Sequence, residues 1–414
     1  MLRATIAAGL IAPFILAPTL AAIAQVPSER AFTGLTLIDG TSRAPVPNAT
    51  ILVRDGRVVA AGPAGMVRIP VGARLVSLTG KTVIPGIINA HGHVNDPKDL
   101  ETYAAYGVTT VFSLGGEPPS VFAARAAQNT PALNHARVFL AGPVLAPKTP
   151  DEARSQVADD AAQKVDIVKI RVDDNLGTVP KMTPEVYRAV IDEAHKRGMR
   201  VATHLFYLAD AKSLLDAGSD FVAHSIRDTD VDAEVIAKLK QRNVCVSPTL
   251  MREVSTFVYE KTPDFFSDSL FLTHANREWM ANLAKPDAQQ TMRASPAAQR
   301  YKIALEVAKR NLKALSDAGV PIAMGTDTGP TGRFQGYFEL MELEQMVSAG
   351  LTPRQALTAA TRDAARCMKL DRDLGTIEPG KWADFVVLDA DPLANISNVR
   401  RITSVWISGN QVKR

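Results

Sequence analysis

The chain has 414 residues, 46% hydrophobic and 22% charged, with 47 Lys and Arg against 43 Asp and Glu for a formal charge of +4. This is an ordinary globular composition with room for one large domain and a smaller one, and it excludes a disordered or repetitive chain. Lys and Arg are spread along the sequence without a basic block or an interleaved aromatic stripe, so no nucleic-acid partner is expected.

Residues 1–24, MLRATIAAGLIAPFILAPTLAAIA, carry one early Arg, an apolar stretch broken by prolines, and Ala22-Ile23-Ala24 ahead of Gln25. They read as a secretory signal peptide cut after Ala24, the alternative being an uncleaved membrane anchor. No Cys near the cut could take a lipid, and no later stretch is apolar for long enough to span a membrane. The mature chain is expected to be exported and soluble, and periplasmic in a Gram-negative source. Residues 25–84 then alternate short apolar runs with Asp-Gly and Pro-rich turns, which is hairpin chemistry, and residues 373–414 have the same texture. Together they are expected to form a composite β-sandwich domain.

Residues 85–372 alternate short apolar strands with amphipathic helices, the pattern of a parallel α/β fold. Eight strand segments can be counted: TVIPGIINAH, GVTTVFSL, ARVFLAG, DIVKIRV, MRVATH, DFVAH, NVCVSPT and PIAMGTD. Eight suggest a (β/α)8 TIM barrel, whose active site gathers at the C-terminal strand ends. His91 and His93 close the first strand, and residues two apart on a strand point to one side. Lys169 lies on the fourth strand, His204 ends the fifth, His224 the sixth and Asp327 the eighth, while His135, His195 and His274 fall elsewhere. Singly, each has a bland reading: a hydrogen-bonded structural His, or an Asp capping a helix. Lys169 is the odd one, since a Lys inside an apolar strand is desolvated unless its chemistry changes. Six such residues at one end of one barrel point to a metal site.

Three further features lie along the same stretch. Arg171, two residues after Lys169, should point to the same side, there either to pair with Asp173 or Asp174 or to grip a substrate carboxylate in bidentate fashion. Cys245 and Cys367 are too few for a disulfide framework and sit on an apparent strand and helix far apart in sequence, so buried free thiols are expected. Residues 251–300 form a long insertion with Phe257, Tyr259, Phe265, Phe266, Phe271 and Trp279, either an accessory helical pair with its own small core or a lid lining the pocket.

The run of motifs PGIINAHGH, GVTTV, VDIVKI, EAHKRGMRVATH, AGSDFVAHS, MGTDTG, AGLTPRQALTAAT and GTIEPGKWADFVVLD resembles the amidohydrolase superfamily. The likeness is to its imidazolonepropionase-like branch, which also holds metal-dependent, prolidase-like dipeptidases and ochratoxin-cleaving amidases. The resemblance implies two divalent metal ions. His91, His93 and Asp327 would hold one, His204 and His224 the other, and Lys169, N6-carboxylated by carbon dioxide, would bridge them with a hydroxide. Imidazole and carboxylate ligands suit zinc, with manganese, cobalt or iron also able to fill such a site. Asp327 would take the proton of the attacking water and pass it to the leaving amine, hydrolysing a carbonyl C–N bond in a dipeptide, N-acyl amino acid or similar amide. Cyclic amides, lactones and esters need the same parts.

Residue identities separate the competing readings within that resemblance. Mononuclear deaminases of the superfamily place a Glu three residues after the fifth-strand His, where this chain has Tyr207, which becomes a candidate substrate contact. Those deaminases and the imidazolonepropionases lack the bridging Lys, so Lys169 favours the binuclear peptidase-like members. A catalytically inactive relative is the remaining alternative, and six intact ligand residues speak against it. The segment between ARVFLAG and DIVKI is shorter than the Gly- and His-rich loop of dipeptidase-like relatives, so one pocket wall should be open or differently built. The expected partner is a small-molecule substrate, with oligomerisation left open.

Overall fold

A computed structural model describes residues 29–414. The expected signal peptide lies outside the described residues. The chain begins with β1 (Glu29–Leu37), β2 (Val46–Arg54), β3 (Arg57–Pro63), β4 (Arg74–Ser77) and β5 (Thr82–Pro85). Between β2 and β3, Asp55 and Gly56 both take positive φ, 50° and 78°, which lets a two-residue turn follow the strand twist.

Next come β6 (Ile87–Gly92), β7 (Val108–Ser113), β8 (Arg137–Leu140), β9 (Val144–Leu145), β10 (Val168–Arg171), β11 (Val201–His204), β12 (Phe221–Val222) and β13 (Cys245–Val246). They pair in parallel as two arcs, β6-β7-β8 and β9-β10-β11-β12-β13. Every residue of β6 and β7 is buried, as parallel strands covered on both faces require. Helices fill most of the connections, so the architecture is mixed α/β.

Two of the eight expected strand segments differ in detail. The first divides at Pro85-Gly86, so Thr82–Pro85 joins the N-terminal sheet and Ile87–Gly92 the arc. At this junction a Cβ on Gly86 would collide with the side chain of Thr109. The last segment makes only single parallel bridges, Ile322 to Val246 of β13 and Thr328 to Gly92 of β6. Backbone bonds from Ala323 to Val246 and from Ala90 to Met324 strengthen the link on both sides. Asp327, at φ 60°, breaks the extended conformation there. On the other side, the amide of Asp166 donates to Leu140, joining β8 to the approach to β10.

The chain returns to its starting sheet with β14 (Phe385–Leu388), β15 (Ile402–Ile407) and β16 (Asn410–Gln411). The order is β16-β15-β14-β5-β1-β2-β3, with β4 beside β1. Phe32 packs edge-on to Phe385 and Trp406 at 4.9 and 4.7 Å between ring centres, so rings from both chain ends share one core. The hydrogen bonding traces one eight-stranded sheet and does not by itself divide it into the two layers of a sandwich.

In the 251–300 insertion, Phe271 lies 4.8 Å from Phe334, and Phe265 and Phe266 close over it at 5.1 and 5.7 Å, forming an aromatic core with Tyr337. Phe257 stands apart, beside Phe206, Tyr207 and Tyr301.

Cys245 and Cys367 form a disulfide across 122 residues, with Cα atoms 5.8 Å apart, which corrects the expectation of free thiols. Sequence distance misled because the arc carries β13 onto the helix Arg362–Met368, where both cysteines enter one apolar cluster. Closing so long a loop restricts the unfolded chain, so Cys367→Ser should lower unfolding stability by about 2–4 kcal/mol. Urea unfolding with thiol titration checks this, the wild type giving two thiols only after reduction.

Candidate metal centre

The strand ends bring the polar residues together because neighbouring backbones approach closely. A Cβ on Gly325 would lie 2.8 Å from the Cβ of His91, and one on Gly329 would lie 2.7 Å from that of His93. With glycine at both positions the Asp327 turn can lie against β6. Glu339, on the helix Tyr337–Ser348, fastens the two: its carboxylate accepts from Thr326 and Thr328 at 2.8 and 2.6 Å and from Asn89 at 2.6 Å. Asn89 in turn accepts the amide of His91.

His91, 1% exposed, has its Nδ1 at the carbonyl of Ala223, and His93 has its Nδ1 3.0 Å from that of Gly115. Each contact turns Nε2 towards Asp327, whose Oδ1 lies 2.9 Å from His93 and 3.5 Å from His91. One ligand atom from each of these three residues falls within 4.8 Å of the other two. His224 packs 4.5 Å from His91 and 4.1 Å from His204, ring centre to ring centre. Thr249 engages Nδ1 of His224 at 2.8 Å, and Asp173 engages Nε2 of His204 at 2.8 Å, so each ring keeps its other nitrogen for a second partner. Lys169 is 3% exposed and close enough for its charge to act on His91, His204 and His224.

Burial governs the electrostatics. It lowers the Lys169 amine to about 7, with Asp327 opposing and Arg171 assisting. It holds His204 down at about 3 and pushes His91 and His224 well below the ordinary imidazole value. Burial alone would raise Asp327, but Arg333, His91 and His93 outweigh it and keep the carboxyl well below its usual range. Two buried nitrogens, Nζ of Lys169 and Nε2 of His224, have no hydrogen-bond partner. Orphaned donors and acceptors of this kind call for an explanation, and a divalent cation bound by imidazoles and a carboxylate fits the donor set.

The two candidate substrate residues stand farther out. Arg171 is 42% exposed, bonded to Asn175 at 3.3 Å and 3.8 Å from Asp173. The Tyr207 hydroxyl donates to Asp174 at 2.9 Å, and Lys181 lies 3.9 Å above its ring. Arg171 stands beside His204 in the β10–β11 ladder, but neither the Arg171 nor the Tyr207 side chain is hydrogen-bonded or ion-paired to the six clustered residues. Sequence reasoning missed Glu339, Thr249 and Arg333, which donates to Asp327, and the partnership of Asp173 with His204. No local pattern marks them, because each acts through a contact made only in the folded chain.

A parallel α/β scaffold that gathers four imidazoles, a lysine and a carboxylate at its strand ends has the make-up of a metal-binding hydrolase. The family model for the amidohydrolase family matches residues 82–412, and the chain belongs to that family, in its imidazolonepropionase and prolidase-like branch. It is a hydrolase of carbon–nitrogen bonds acting on a small molecule. An imidazolonepropionase from Deinococcus deserti is 26% identical over 381 residues, covering 88% of this chain and 92% of the relative. One from Streptomyces griseus is 22% identical over 400 residues, covering 91% and 95%. Among solved structures, a Bifidobacterium longum protein assigned as a prolidase is 26% identical with a TM-score of 0.76, covering 94% of this chain and 95% of the other. A Xaa-Pro dipeptidase with methionine in its active site is 20% identical with a TM-score of 0.75, covering 94% and 100%. The likeness implies a (β/α)8 barrel. No helix among the described residues is long and apolar enough to cross a membrane.

The depressed imidazoles carry a sign that can be measured on metal-free protein. Above about pH 6.5 His204 is neutral in both folded and unfolded chains, and its contribution to stability is complete. As the pH falls from there towards about 3, the unfolded chain takes up a proton that the folded one refuses, and stability is lost. The urea midpoint should therefore fall steadily between pH 7 and 4, with a shallower slope in His204→Asn. A flat midpoint over that range would contradict a buried neutral His204.

Proposed function

We propose that the chain is a binuclear metal-dependent amidohydrolase that cleaves the carbonyl C–N bond of a small amide such as a dipeptide or N-acyl amino acid. The observation that carries this reading is Lys169, a buried, partnerless amine lowered to about 7 among His91, His204, His224 and Asp327. An amine that is neutral near physiological pH can react with carbon dioxide, releasing a proton, and the resulting carbamate would share one negative charge over two oxygens able to bind cations. His91, His93 and Asp327 would hold one ion and His204 and His224 the other. When bound, two such cations, zinc being the first choice, polarise a substrate carbonyl and make water acidic.

The protein's own share is orientation and proton transfer. Ala223, Gly115, Thr249 and Asp173 fix the imidazoles through their second nitrogens. Asp327, held by its turn, is the carboxylate placed to carry a proton from the attacking water to the leaving amine. Imidazolonepropionase relatives favour a cyclic amide as the second reading, with lactones or esters beyond it. Under the same proposal residues 25–84 and 373–414 form the small β-sandwich domain, and residues 1–24 are a cleaved export signal. The Cys245–Cys367 bond supports export, since disulfides persist in oxidising compartments.

Lys169→Ala should bind at most one metal ion per chain by elemental analysis and lose most activity in a screen of dipeptides, N-acyl amino acids, lactams, lactones and aryl esters. Acetate or propionate should restore part of both. Two bound ions and normal turnover in this variant would reject the binuclear reading. Asp327→Asn should keep much of its metal while kcat drops by about a hundredfold or more, and near-normal kcat would remove Asp327 from the proton path.

A further inference from the structure

Away from the metal centre, the segment that joins β3 to β4 carries an exposed apolar surface. After the short helical turn Ala64–Met66 the chain crosses one face of the sheet shared by the two chain ends. There Val67 is buried against Ala31 of β1 and Leu52 of β2, with Ile69 and Ala60 of β3 packed alongside. The residues around these anchors face water: Met66 is 82% exposed, Val71 is fully exposed, and Arg68, between the two anchors, is exposed as well. Leu75 of β4 is 64% exposed and stands opposite Ala31 in the parallel β1–β4 pairing, so it shares the face that the segment crosses. Of the seven large apolar side chains exposed among the described residues, three fall within residues 66–75. Single exposed apolar residues are ordinary, whereas a cluster of them marks a surface that meets something.

The same surface is basic. No Asp or Glu occurs between Asp55 and Asp96. Arg68 and Arg74 are exposed, and neither is ion-paired among the described residues. Arg74 lies on β4, which pairs only with β1, and stands opposite Arg30, whose guanidinium is lowered first by burial and then by the Arg74 charge. Glu29, at the start of β1, is already answered by Arg54 at 2.6 Å. A second copy of the chain would be a poor partner, because a two-fold contact would bring these arginines against their own copies. Apolar side chains flanked by unanswered cations suit a bilayer interface, the apolar groups entering between headgroups and the guanidinium groups staying at phosphate level.

The chain also enters on this side. β1 begins at Glu29, two residues before Ala31, and only residues 25–28 separate it from the apolar segment 1–24. Four residues reach at most about 14 Å. If residues 1–24 are the export signal proposed above, the leader holds this end of the sheet against the membrane until it is cut. We infer that Met66, Arg68, Val71, Arg74 and Leu75 form a docking surface for an anionic lipid bilayer, which keeps the exported enzyme at the membrane face.

The test uses the exported chain, beginning at Gln25, so that the leader cannot itself insert. Co-sedimentation at low salt compares vesicles of equal parts phosphatidylglycerol and phosphatidylcholine with vesicles of phosphatidylcholine alone. The anionic vesicles should bind about tenfold or more tightly, and about 0.5 M NaCl should remove most of that preference. Arg68→Gln/Arg74→Gln should weaken binding to the anionic vesicles by about tenfold or more, and Met66→Ser/Val71→Ser/Leu75→Ser should weaken it at least as much. All five side chains are exposed, so both variants should fold, with Tm as the check. Lys196→Gln/Lys313→Gln removes the same charge from the helices Pro184–Lys196 and Pro296–Asp317 and should bind as the wild type does. No binding of the wild type to anionic vesicles, an equal loss in the lysine control, or binding that survives either patch variant would overturn the inference. So would a dimer, seen by light scattering, that the triple variant converts to a monomer, since the surface would then belong to a second copy of the chain.

Discussion

The close approach of residues 322–329 to β6 is the constraint on which the rest of the site depends. Gly325 and Gly329 leave no room for a side chain beside His91 and His93, and the bridges at Ile322 and Thr328 tie the last segment to both arcs. Without that contact Asp327 would not stand 2.9 Å from His93. Glu339 turns the contact into a fixed geometry, because a single carboxylate oxygen receives Asn89 from one backbone and Thr326 and Thr328 from the other. Every donor in this knot is neutral, so that oxygen is satisfied while the charge is not answered, and burial raises the Glu339 carboxyl to about 7 with its other oxygen unpartnered.

Around the knot, charge is arranged by depth. The imidazoles and Lys169 are driven towards neutrality by burial, and in that form their nitrogens can bind a cation. Carboxylates at the same depth are kept ionised only where a partner is at hand, Arg333 and the imidazoles for Asp327 and His204 for Asp173. The arginines behind them cannot respond by losing protons, and Glu253, which lies against both Arg227 and Arg252, answers them as a carboxylate.

What the sequence makes legible is what repeats or alternates. The apolar runs identify seven of the parallel strands, and the His91-x-His93 pair, Lys169, His204, His224 and Asp327 stand out because each interrupts or ends such a run. The eighth segment reads as a strand by composition, but Gly325 and the positive φ of Asp327 reduce it to bridges. Cys245 and Cys367 read as solitary because pairing is decided by where β13 and the helix Arg362–Met368 meet in space. Alternation places Arg171 on the side of Lys169, where its charge acts on the amine and Asp173 lies 3.8 Å away, but its exposure at the end of β10, with Asn175 bonded to it, is set only in the fold. Glu253 looks like any helical acid until Arg227, 26 positions earlier, is seen to share it with Arg252.

The cross-link between Cys245 and Cys367 also divides the ligand residues. The loop it closes spans 122 residues and carries the whole aromatic insertion and the Asp327 turn, whereas His91, His93, Lys169, His204 and His224 all precede it. A protease that nicked an exposed loop tip of the insertion would open the ring without releasing a fragment. The Asp327 segment would stay covalently leashed to β13 and still threaded beside β6. In an environment rich in proteases the insertion is thus free to lengthen, vary or be clipped, because the bond below the arc keeps the severed halves one molecule.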